Sequence, residues 1–469
     1  MGFGIDQLYR RGEIIYKNRK FNFEDFDIGS NEILEAFSQR SICLVIDDKS
    51  IESTIAIISL LLSENHIILI DSLIASKQIA DLIKKFKCDF IIGSDKTFNK
   101  LKINKNIHHS YFAIHKCRNS FKKIVSDNIP LLLLGTSGSS GVSKFVGITH
   151  ENLFENCKSI CKYLKNDQKT VSINNLPCSY SYGLSVLNTT LYKGGKYIIS
   201  EDNSILRRGF WDDAQKYEIT DFSGVPTTYK SLLKFDCMNF FPKSLKRLTQ
   251  AGGRLEYQIQ QELLEYSLKM NFEFFIMYGQ TEATARLTFL NLTREPHKIG
   301  SVGRVIPGVK LVENKGLEDK ESRNLTFKGK NISLGYFSNF DDINQTKDSF
   351  GGILKTGDIG YIDNDGCITI TGRESRFAKI DGHRIALDDL ERKLSKESDN
   401  LAIVSNDQFL FVVLPNSVIP FQKRISKFIS QNSTIHISKI KVLDLEIPLT
   451  NNGKISYSKL LNDIEKTIK

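Results

Sequence analysis

The stretch Leu131–Lys144 reads LLLLGTSGSSGVSK, and it indicates a strand that runs into a loop able to hold an anion. Four consecutive leucines predict a buried strand. Glycines let the backbone approach an anion closely, and the free N–H groups and hydroxyls of such a loop donate to it. Lys144 adds a positive charge, and a helical pattern, Glu151–Leu164, comes next. The stretch therefore predicts a phosphate-binding loop.

A flexible linker and a Walker P-loop are two other interpretations of this loop. Its Gly/Ser composition also fits a flexible linker, but the loop begins at the end of a predicted buried strand and stops at a predicted helix. The Walker P-loop needs glycine directly before its lysine, and Ser143 stands there instead. We therefore expect nucleotide chemistry of another kind.

Composition places the chain among globular proteins of more than one domain. It has 469 residues, of which 41% are hydrophobic and 25% charged. The net charge of +10 is scattered, as on a solvated surface. The surplus also favours, more weakly, an acidic partner. Nucleic-acid binding would need a focused basic patch, so none is predicted.

The cysteines and the N-terminus predict a cytoplasmic protein. None of the eight cysteines has zinc-site spacing with histidine nearby, and unpaired thiols suit a reducing compartment. The sequence MGFGIDQLYRRGE shows no apolar signal segment. The most apolar stretch, Thr54–Leu62, is too short to span a bilayer, so no membrane span is expected.

Short β-branched or aromatic runs alternate with helical patterns through the first part of the chain. This alternation implies an α/β body of mostly parallel sheets covered on both faces. The predicted strands are Ser41–Asp47, His66–Asp71, Asp89–Ser94, Lys196–Ser200, Ile219–Val225, Arg247–Gln250 and Phe272–Tyr278. The predicted helices include Ser50–Leu62, Ile74–Phe86 and Tyr257–Lys269.

The pattern changes from about Ile299, where strands become shorter and closer. Asn364-Asp365-Gly366, between Ile359–Asp363 and Cys367–Thr371, is a hairpin signal. We expect a large N-terminal domain, 1–374, made of the α/β body 1–291 and a small β-rich subdomain 292–374. A small α+β domain, 375–469, follows. Its predicted elements are a helix Ala386–Ser395, a strand pair Ala402–Leu414 and a helix Phe421–Ser430.

Six further segments carry residues suited to catalysis or binding. They are Leu176–Ser185 (LPCSYSYGLS), Ala251–Leu255 (AGGRL), Met277–Arg286 (MYGQTEATAR), Leu354–Tyr361 (LKTGDIGY), Gly372–Arg384 (GRESRFAKIDGHR) and Asn452–Ile455 (NGKI). Taken in order with the Ser/Gly loop, they resemble the adenylate-forming superfamily of acyl-CoA synthetases, adenylation enzymes and firefly luciferase. The resemblance covers about two-thirds of the chain.

The resemblance implies an AMP-forming acid–thiol ligase. In that family a carboxylate attacks the α-phosphorus of ATP, with Mg²⁺, to give an acyl-adenylate and pyrophosphate. CoA or the phosphopantetheine of an acyl carrier protein then accepts the acyl group, and an acidic carrier would suit the positive charge. Two alternatives stay open. The enzyme stops at the adenylate or uses a non-thiol acceptor, or the chain is a non-catalytic nucleotide-binding relic of the fold.

Site residues follow from the resemblance, position by position. The β- and γ-phosphates are assigned to Thr136, Ser137, Gly138, Ser139, Ser140, Gly141 and Lys144. Adenine and ribose are assigned to Gly252, Gly253, Tyr278, Gly279, Asp358 and Arg373. Thr281 would donate to the α-phosphate, Glu282 would ligate Mg²⁺, and Lys454 would be the mobile catalytic lysine. Ser143 and Phe145 stand where the family often has proline and glycine.

The remaining assignments concern the acyl pocket and the moving domain. The pocket is assigned to Tyr180, Tyr182, Gly183 and Gly224, the hinge to Ser375, and the thiol step to Lys379 and Gly382. Ser375 departs from the Asp or Lys common at that joint. Amino-acid-activating members carry an Asp within the segment equivalent to Leu176–Ser185, and this chain has no acidic residue there. Since a buried ammonium without a counter-charge is costly, we expect an acid that lacks an α-amine.

Overall fold

The computed structural model describes residues 4–37, 40–117, 132–136, 144–312, 323–380, 383–394, 401–406, 408–416, 419–432, 435–449 and 455–468. It has two large sheets with helices, a smaller β-sheet and a C-terminal α+β part. The predicted α/β class is confirmed. The α-helices within these ranges are Phe23–Ala36, Ile51–Leu62, Ser76–Phe86, Asp95–Leu101, His150–Leu164, Ser181–Tyr192, Arg208–Lys216, Pro226–Lys234, Tyr257–Met270, Phe340–Asn344, Leu387–Leu394, Ile419–Asn432 and Tyr457–Ile468.

The first large sheet is parallel at its centre and antiparallel at its edges. Its central strand Ile42–Asp47 is buried at every position, which explains its continuous apolar run, since such strands are covered on both faces. Counting described residues only, seven strands lie in the order Tyr336–Phe337, Phe145–Ile148, Leu132–Gly135, His66–Asp71, Ile42–Asp47, Phe90–Gly93 and Ala113–Lys116.

The second large sheet follows the same plan. Parallel strands form its middle, and antiparallel pairs close both edges. Its strand Glu273–Tyr278 ends where the predicted site begins. In the described ranges nine strands lie in the order Arg304–Val305, Thr288–Asn291, Glu273–Tyr278, Arg247–Gln250, Asp221–Gly224, Val171–Ile173, Lys196–Ile198, Glu13–Tyr16 and Arg19–Phe21.

The main hydrophobic core joins the two large sheets. One continuous cluster contains Val45 and Leu134 of the first sheet and Tyr197 of the second. Helix Ile51–Leu62 contributes to that cluster and is buried at ten of its twelve positions. A helix that is apolar nearly all round is one that the core surrounds. Its start is fixed by the Ser50 hydroxyl, which accepts from the N–H of Ser53 at 3.1 Å.

The connection after the leucine strand differs from the prediction. The loop does not lead straight into a helix, because strand Phe145–Ile148 comes first and pairs antiparallel with Leu132–Gly135. Helix His150–Leu164 follows that strand. The loop therefore connects two antiparallel strands. Four residues are too few to show the alternation of a strand, and the glycine at position 147 weakens the strand pattern further. Glycine is needed there because a Cβ would lie 2.3 Å from the Phe337 ring.

The smaller β-sheet contains the predicted hairpin. Its four strands among the described residues are Val309–Leu311, Arg323–Gly329, Ile353–Ile362 and Ile368–Arg373. The turn between the last two includes Gly366 at φ 78°, in the left-handed region that glycine tolerates. This register sets Asp358 opposite Arg373. Strand Tyr336–Phe337 does not stay with this sheet, since it pairs with Phe145–Ile148 of the first large sheet.

The C-terminal part begins at a 3-10 helix, Glu374–Arg376, where the sequence predicts a domain junction. Strands Phe377–Ile380 and His383–Ala386 form a pair. A further described sheet has the order Ala402–Ser405, Leu410–Val413 and Ile440–Leu443. The six helices predicted across the chain end within two residues of the observed helices. No helix in the described ranges has both the length and the apolar character needed to cross a bilayer.

His150 gives the fold a pH dependence. Burial, with nearby Arg40, lowers its pKa from 6.5 to about 4, and its Nε2 has no hydrogen-bond partner among the described residues. The unfolded chain therefore takes up this proton at higher pH than the folded protein. We expect the contribution of His150 to the free energy of unfolding to be fully present above pH 6.5 and to fall by about 3 kcal/mol by pH 4.

Urea denaturation at pH 7.5 and pH 4.5 checks this expectation. His150→Asn should lose clearly less stability between the two pH values than the wild type does. The exposed His297 provides a control, since His297→Asn should behave like the wild type. An identical pH dependence in the wild type and in His150→Asn would contradict the assignment to His150.

Candidate active site

The turn after strand Glu273–Tyr278, here called the 278–286 loop, has an unusual backbone. Thr284 and Ala285 have φ of 54° and 110°, where residues with a Cβ are uncommon. Gly279 faces them, and a Cβ at Gly279 would lie 2.1 Å from the Ala285 carbonyl oxygen. Strain of this kind costs about 1–3 kcal/mol per residue and tends to occur at functional sites.

Asn331 holds the 278–286 loop in this shape. Its side-chain Nδ2 donates to the carbonyls of Ala283 at 3.0 Å and Arg286 at 2.9 Å. In return the Thr284 hydroxyl donates to the Asn331 carbonyl at 2.8 Å. Asn331 is buried, so these bonds form away from water, where leaving a polar group unpaired is expensive. The loop is thus positioned before any ligand arrives.

Asp358 is the centre of one side of the site. Its side chain is almost fully buried. Oδ1 accepts from Arg373 Nε at 2.7 Å, and Oδ2 accepts from the Tyr278 hydroxyl at 2.5 Å and from Gln280 Nε2 at 2.8 Å. A carboxylate offers about four acceptor positions, and three of them are filled by these donors. The structure therefore brings together three of the residues predicted to contact adenine and ribose.

Tyr278 and Arg373 are the proton donors of this network. Burial raises the pKa of Tyr278, and the Asp358 carboxylate raises it further. The same carboxylate is the main cause of the raised pKa of Arg373. Tyr278 and Arg373 consequently keep their protons at neutral pH and act as donors toward Asp358.

On a second side of the site, Tyr336 contacts both Glu282 and Lys144. Its hydroxyl donates to Glu282 Oε1 at 2.7 Å, and its ring centroid lies 5.4 Å from Lys144 Nζ. Burial, followed by the Glu282 charge, raises the pKa of Tyr336. The predicted phosphate cation and the predicted metal ligand therefore lie against one tyrosine.

The base of the predicted phosphate loop is closed by backbone contacts. The Thr136 N–H and hydroxyl both donate to the Lys144 carbonyl, at 3.0 and 3.3 Å. The five residues between them that the sequence assigns to phosphate contact lie outside the described residues; they are Ser137, Gly138, Ser139, Ser140 and Gly141. Thr281 lies with Glu282 on the short 3-10 helix Thr281–Ala283.

Two tyrosines at the start of helix Ser181–Tyr192 form a third side. The Tyr180 hydroxyl lies beside Gly252, where an added Cβ would approach it to 2.2 Å. Burial raises the pKa of Tyr180 to about 12. The Tyr182 hydroxyl donates to the Thr249 carbonyl at 2.8 Å, and Gln250 Nε2 reaches the Gly253 carbonyl at 2.8 Å. The glycine pair and the tyrosines are thus neighbours.

The two glycines assigned to the acyl pocket, Gly183 and Gly224, are close-packed. An added Cβ would lie 2.1 Å from the Pro177 carbonyl at Gly183 and 2.8 Å from the Tyr229 ring at Gly224. Both positions therefore exclude larger side chains, as an acyl-pocket wall and an ordinary tight packing contact would each require.

The predicted hinge is anchored by Arg376. Its guanidinium bonds to Asp388 at 2.7 Å and Glu391 at 2.6 Å, and it lies 3.5 Å from the Tyr457 ring centroid. Ser375 lies in the 3-10 helix Glu374–Arg376. Lys379 lies on strand Phe377–Ile380, and the side chains of both lie outside the described part. Gly382 and Lys454 fall outside the described residues altogether.

Four site residues were not singled out from the sequence. Gln280 and Arg286 fall inside the quoted motif Met277–Arg286, so their neighbourhood was flagged. Asn331 and Tyr336 lie between motifs, and no local pattern marks them. Both act through contacts distant in sequence, such as Tyr336 with Glu282.

Comparison with known proteins gives the family. The AMP-binding enzyme family matches residues 37–337, more than half of the chain. The luciferin 4-monooxygenase of Photuris pensylvanica is 28% identical, over 74% of this chain and 66% of that protein. The oxalate–CoA ligase of Arabidopsis thaliana is 27% identical, over 69% and 65%. The chain thus spans just under two thirds of the length of these relatives.

A solved structure shows the same fold. It is the o-succinylbenzoate CoA synthetase of Bacillus subtilis in complex with its acyl-adenylate intermediate. The two chains share 20% identity and a TM-score of 0.74, over 96% of this chain and 95% of that one. The fold, the matched stretch 37–337 and the ordered motifs agree, and this protein belongs to the AMP-binding enzyme family.

Proposed function

We propose that this protein activates a carboxylic acid with ATP and then transfers the acyl group to a pantetheine thiol. One observation carries the proposal. The 278–286 loop contacts the Asp358–Arg373 pair through Tyr278 and Gln280, and it contacts the Lys144 side through Glu282 and Tyr336. A nucleotide lying along this loop would have its sugar at one end and its phosphates at the other.

In the proposed first step an oxygen of the substrate carboxylate attacks the α-phosphorus. The bond from that phosphorus to the bridging oxygen breaks, and pyrophosphate leaves. Asp358 would accept from a ribose hydroxyl, and Tyr278 and Gly279 would lie against the base. Thr281 would donate to the α-phosphate, while Lys144 and the loop donors would hold the leaving phosphates. Positioning and charge stabilisation supply most of the catalysis in such displacements.

The residues present fit a magnesium ion. Mg²⁺ binds through one or two carboxylates plus substrate phosphates and water, and Glu282 has one oxygen, Oε2, outside its bond to Tyr336. Among the described residues no cluster of three or more His, Cys, Asp or Glu side chains would hold a metal, and binding through phosphates needs none. Bound there, Mg²⁺ would neutralise phosphate charge.

Removing the Tyr336 hydroxyl tests this arrangement. Since hydrogen bonds to metal-ligating carboxylates orient them, Tyr336→Phe should raise the Mg²⁺ concentration for half-maximal pyrophosphate exchange about tenfold. The rate at saturating Mg²⁺ should stay near that of the wild type. Tyr361→Phe, outside this contact, is the control. An unchanged Mg²⁺ dependence in Tyr336→Phe would show that Tyr336 does not orient the metal ligand Glu282.

The pocket supports an acid without an α-amine. Segment Leu176–Ser185 brings no carboxylate of its own. Asp47 reaches it, but Asp47 accepts from the backbone N–H groups of Ser179 at 2.8 Å and Lys49 at 2.9 Å, which is a structural role. The nearby buried charge is the Arg286 guanidinium, 4.1 Å from the Tyr182 ring centroid. A cation there disfavours a substrate ammonium.

The proposed acceptor of the acyl group is the thiol of CoA or of an acyl carrier protein. A CoA ligase among the relatives supports CoA, and the net charge of +10 supports an acidic acyl carrier protein. A non-thiol acceptor is the alternative, since another relative is a monooxygenase. We propose no nucleic-acid partner. The cysteines are all free, which supports the reducing cytoplasm as the compartment.

Acid-dependent exchange of labelled pyrophosphate into ATP tests the proposal. The assay uses the full chain, Mg²⁺ and a panel of carboxylic acids, and label should enter ATP only when an accepted acid is present. Absence of exchange with every acid would favour the nucleotide-binding relic. Adding CoA or a phosphopantetheinylated carrier then separates thiol transfer from adenylation alone.

A further inference from the structure

Arg286 is a buried charge with no opposite charge beside it. Its residue exposure is 2%. Nε donates to Met277 Sδ at 3.4 Å and Nη1 to the Ala285 carbonyl at 3.0 Å. No carboxylate lies within ion-pair distance of it in the part of the chain that the structure describes. A guanidinium has five N–H donors, and Arg286 also acts on the neighbouring Tyr163 hydroxyl, but none of these partners carries a negative charge.

The other arginines that are buried or nearly so are paired. Arg247 donates to both oxygens of Asp221, at 2.5 and 3.1 Å. Arg376 bonds to Asp388 and Glu391. Taking a charge out of water without a partner is unfavourable, and this fold avoids that cost at Arg247 and Arg376. Arg286 is the exception among them.

Arg286 lies at the acyl side of the site. Its guanidinium carbon is 4.1 Å from the ring centroid of Tyr182, and its charge lowers the otherwise raised pKa of Tyr163, Tyr180 and Tyr182. The ring of Tyr182 covers one face of the guanidinium. Glu282, on the same loop, instead contacts Tyr336. The Arg286 guanidinium therefore contacts Tyr182, whereas Glu282 on the phosphate side contacts Tyr336.

We infer that the acid substrate carries a second anionic group, and that this group pairs with Arg286. The inference rests on the proposed function, because it names the substrate class for the same site. One carboxylate reacts at the α-phosphorus, and the distal anion, most simply another carboxylate, supplies the missing counter-charge. Arg286 is then a specificity residue, selecting dicarboxylates over monocarboxylates of equal length.

Pyrophosphate exchange with matched acids tests the inference. Malonate, succinate, glutarate and adipate are compared with propionate, butyrate, valerate and hexanoate, and 3-sulfopropionate tests another anion. For at least one pair we expect the wild type to favour the dicarboxylate at least tenfold in kcat/KM. Arg286→Met should lose or reverse that preference while exchanging monocarboxylates, and Arg286→Lys should keep part of it.

Thermal unfolding separates this role from a structural one. Arg286→Met should not lower the melting temperature, because it removes an unpaired charge. Arg247→Met should lower it, because the buried Asp221 would lose its opposite charge. The preferred dicarboxylate should raise the melting temperature of the wild type and not that of Arg286→Met.

Two outcomes would overturn the inference. Exchange that favours monocarboxylates, or that treats both members of every pair equally, would refute it while leaving adenylation established. If the dicarboxylate preference survives in Arg286→Met, a residue other than Arg286 is responsible for that preference. Absence of exchange with every acid would instead refute the proposed function itself.

Discussion

Replacing Lys454 with alanine is expected to slow acid-dependent pyrophosphate exchange by about a hundredfold to a thousandfold. Negative charge builds up where the carboxylate approaches the α-phosphate, and an ammonium held there stabilises the transition state. Lys454 lies outside the described residues, but the chain around it is anchored. Leu449 and Ile455 form a β-bridge, and the Ser456 N–H donates to the Pro448 carbonyl at 2.8 Å.

The same substitution should leave thiol transfer from a supplied acyl-adenylate largely intact. Tyr457 follows shortly after Lys454 and donates to Glu391 at 2.9 Å, beside Arg376. Tyr457 therefore contacts Arg376, the residue that follows the proposed hinge. A rotation at Ser375 would move Tyr457 and Arg376 together. One orientation would then serve each half-reaction.

Lys459→Ala is the matched control, since Lys459 is an exposed lysine on the helix Tyr457–Ile468 that follows shortly after position 454. It should change neither half-reaction more than about twofold, as expected of surface substitutions. Rapid-quench measurement of both half-reactions checks the prediction. If thiol transfer fell as far as exchange in Lys454→Ala, the separation of roles would be wrong.

Asp358→Asn should lower kcat/KM for ATP about a hundredfold. The carboxylate is the common acceptor of Arg373, Tyr278 and Gln280. An amide cannot accept on its nitrogen, so that side of the network is lost together with its contact to the ribose. Hydrogen bonds to charged groups are worth roughly 1.5–3 kcal/mol each, and about 2.8 kcal/mol corresponds to a hundredfold.

Asp363→Asn provides the comparison within the same hairpin. Asp363 pairs with Lys298 at 2.7 Å and contacts none of the Asp358 network. Its substitution should leave kcat/KM for ATP within about threefold of the wild type, because partly exposed ion pairs contribute little. Thermal melts of both variants check that they are folded. Near-normal kcat/KM in a folded Asp358→Asn would exclude Asp358 from nucleotide binding.

Local patterns predicted most of the elements of this fold. The continuous apolar run Ile42–Ile46 is buried on both faces, and the Gly366 turn sets the register that pairs Asp358 with Arg373. Strand Phe145–Ile148 was not predicted, because four residues beside a glycine-rich loop carry no period. Antiparallel edges such as Phe90–Gly93 with Ala113–Lys116 were also not predicted, since pairing direction is a tertiary property.

The site was predictable where its residues lie within a quoted motif. Tyr278 and Asp358 each come from a quoted motif, and the fold brings them into contact. The contact of Tyr336 with Glu282 depends on strand Tyr336–Phe337 crossing to another sheet, which no local pattern reveals. The missing counter-charge of Arg286 is likewise invisible in sequence, because it requires knowing every neighbour.

Transfer of oxygen from the acid to AMP tests the central claim most directly. The acid that supports the fastest exchange is labelled with ¹⁸O in its carboxylate and incubated with the protein, ATP and Mg²⁺, with hydroxylamine to trap the acyl group. Attack on the α-phosphorus predicts AMP carrying one ¹⁸O atom, with unlabelled pyrophosphate. Unlabelled AMP, or ¹⁸O recovered in inorganic phosphate with formation of ADP, would contradict acyl-adenylate formation.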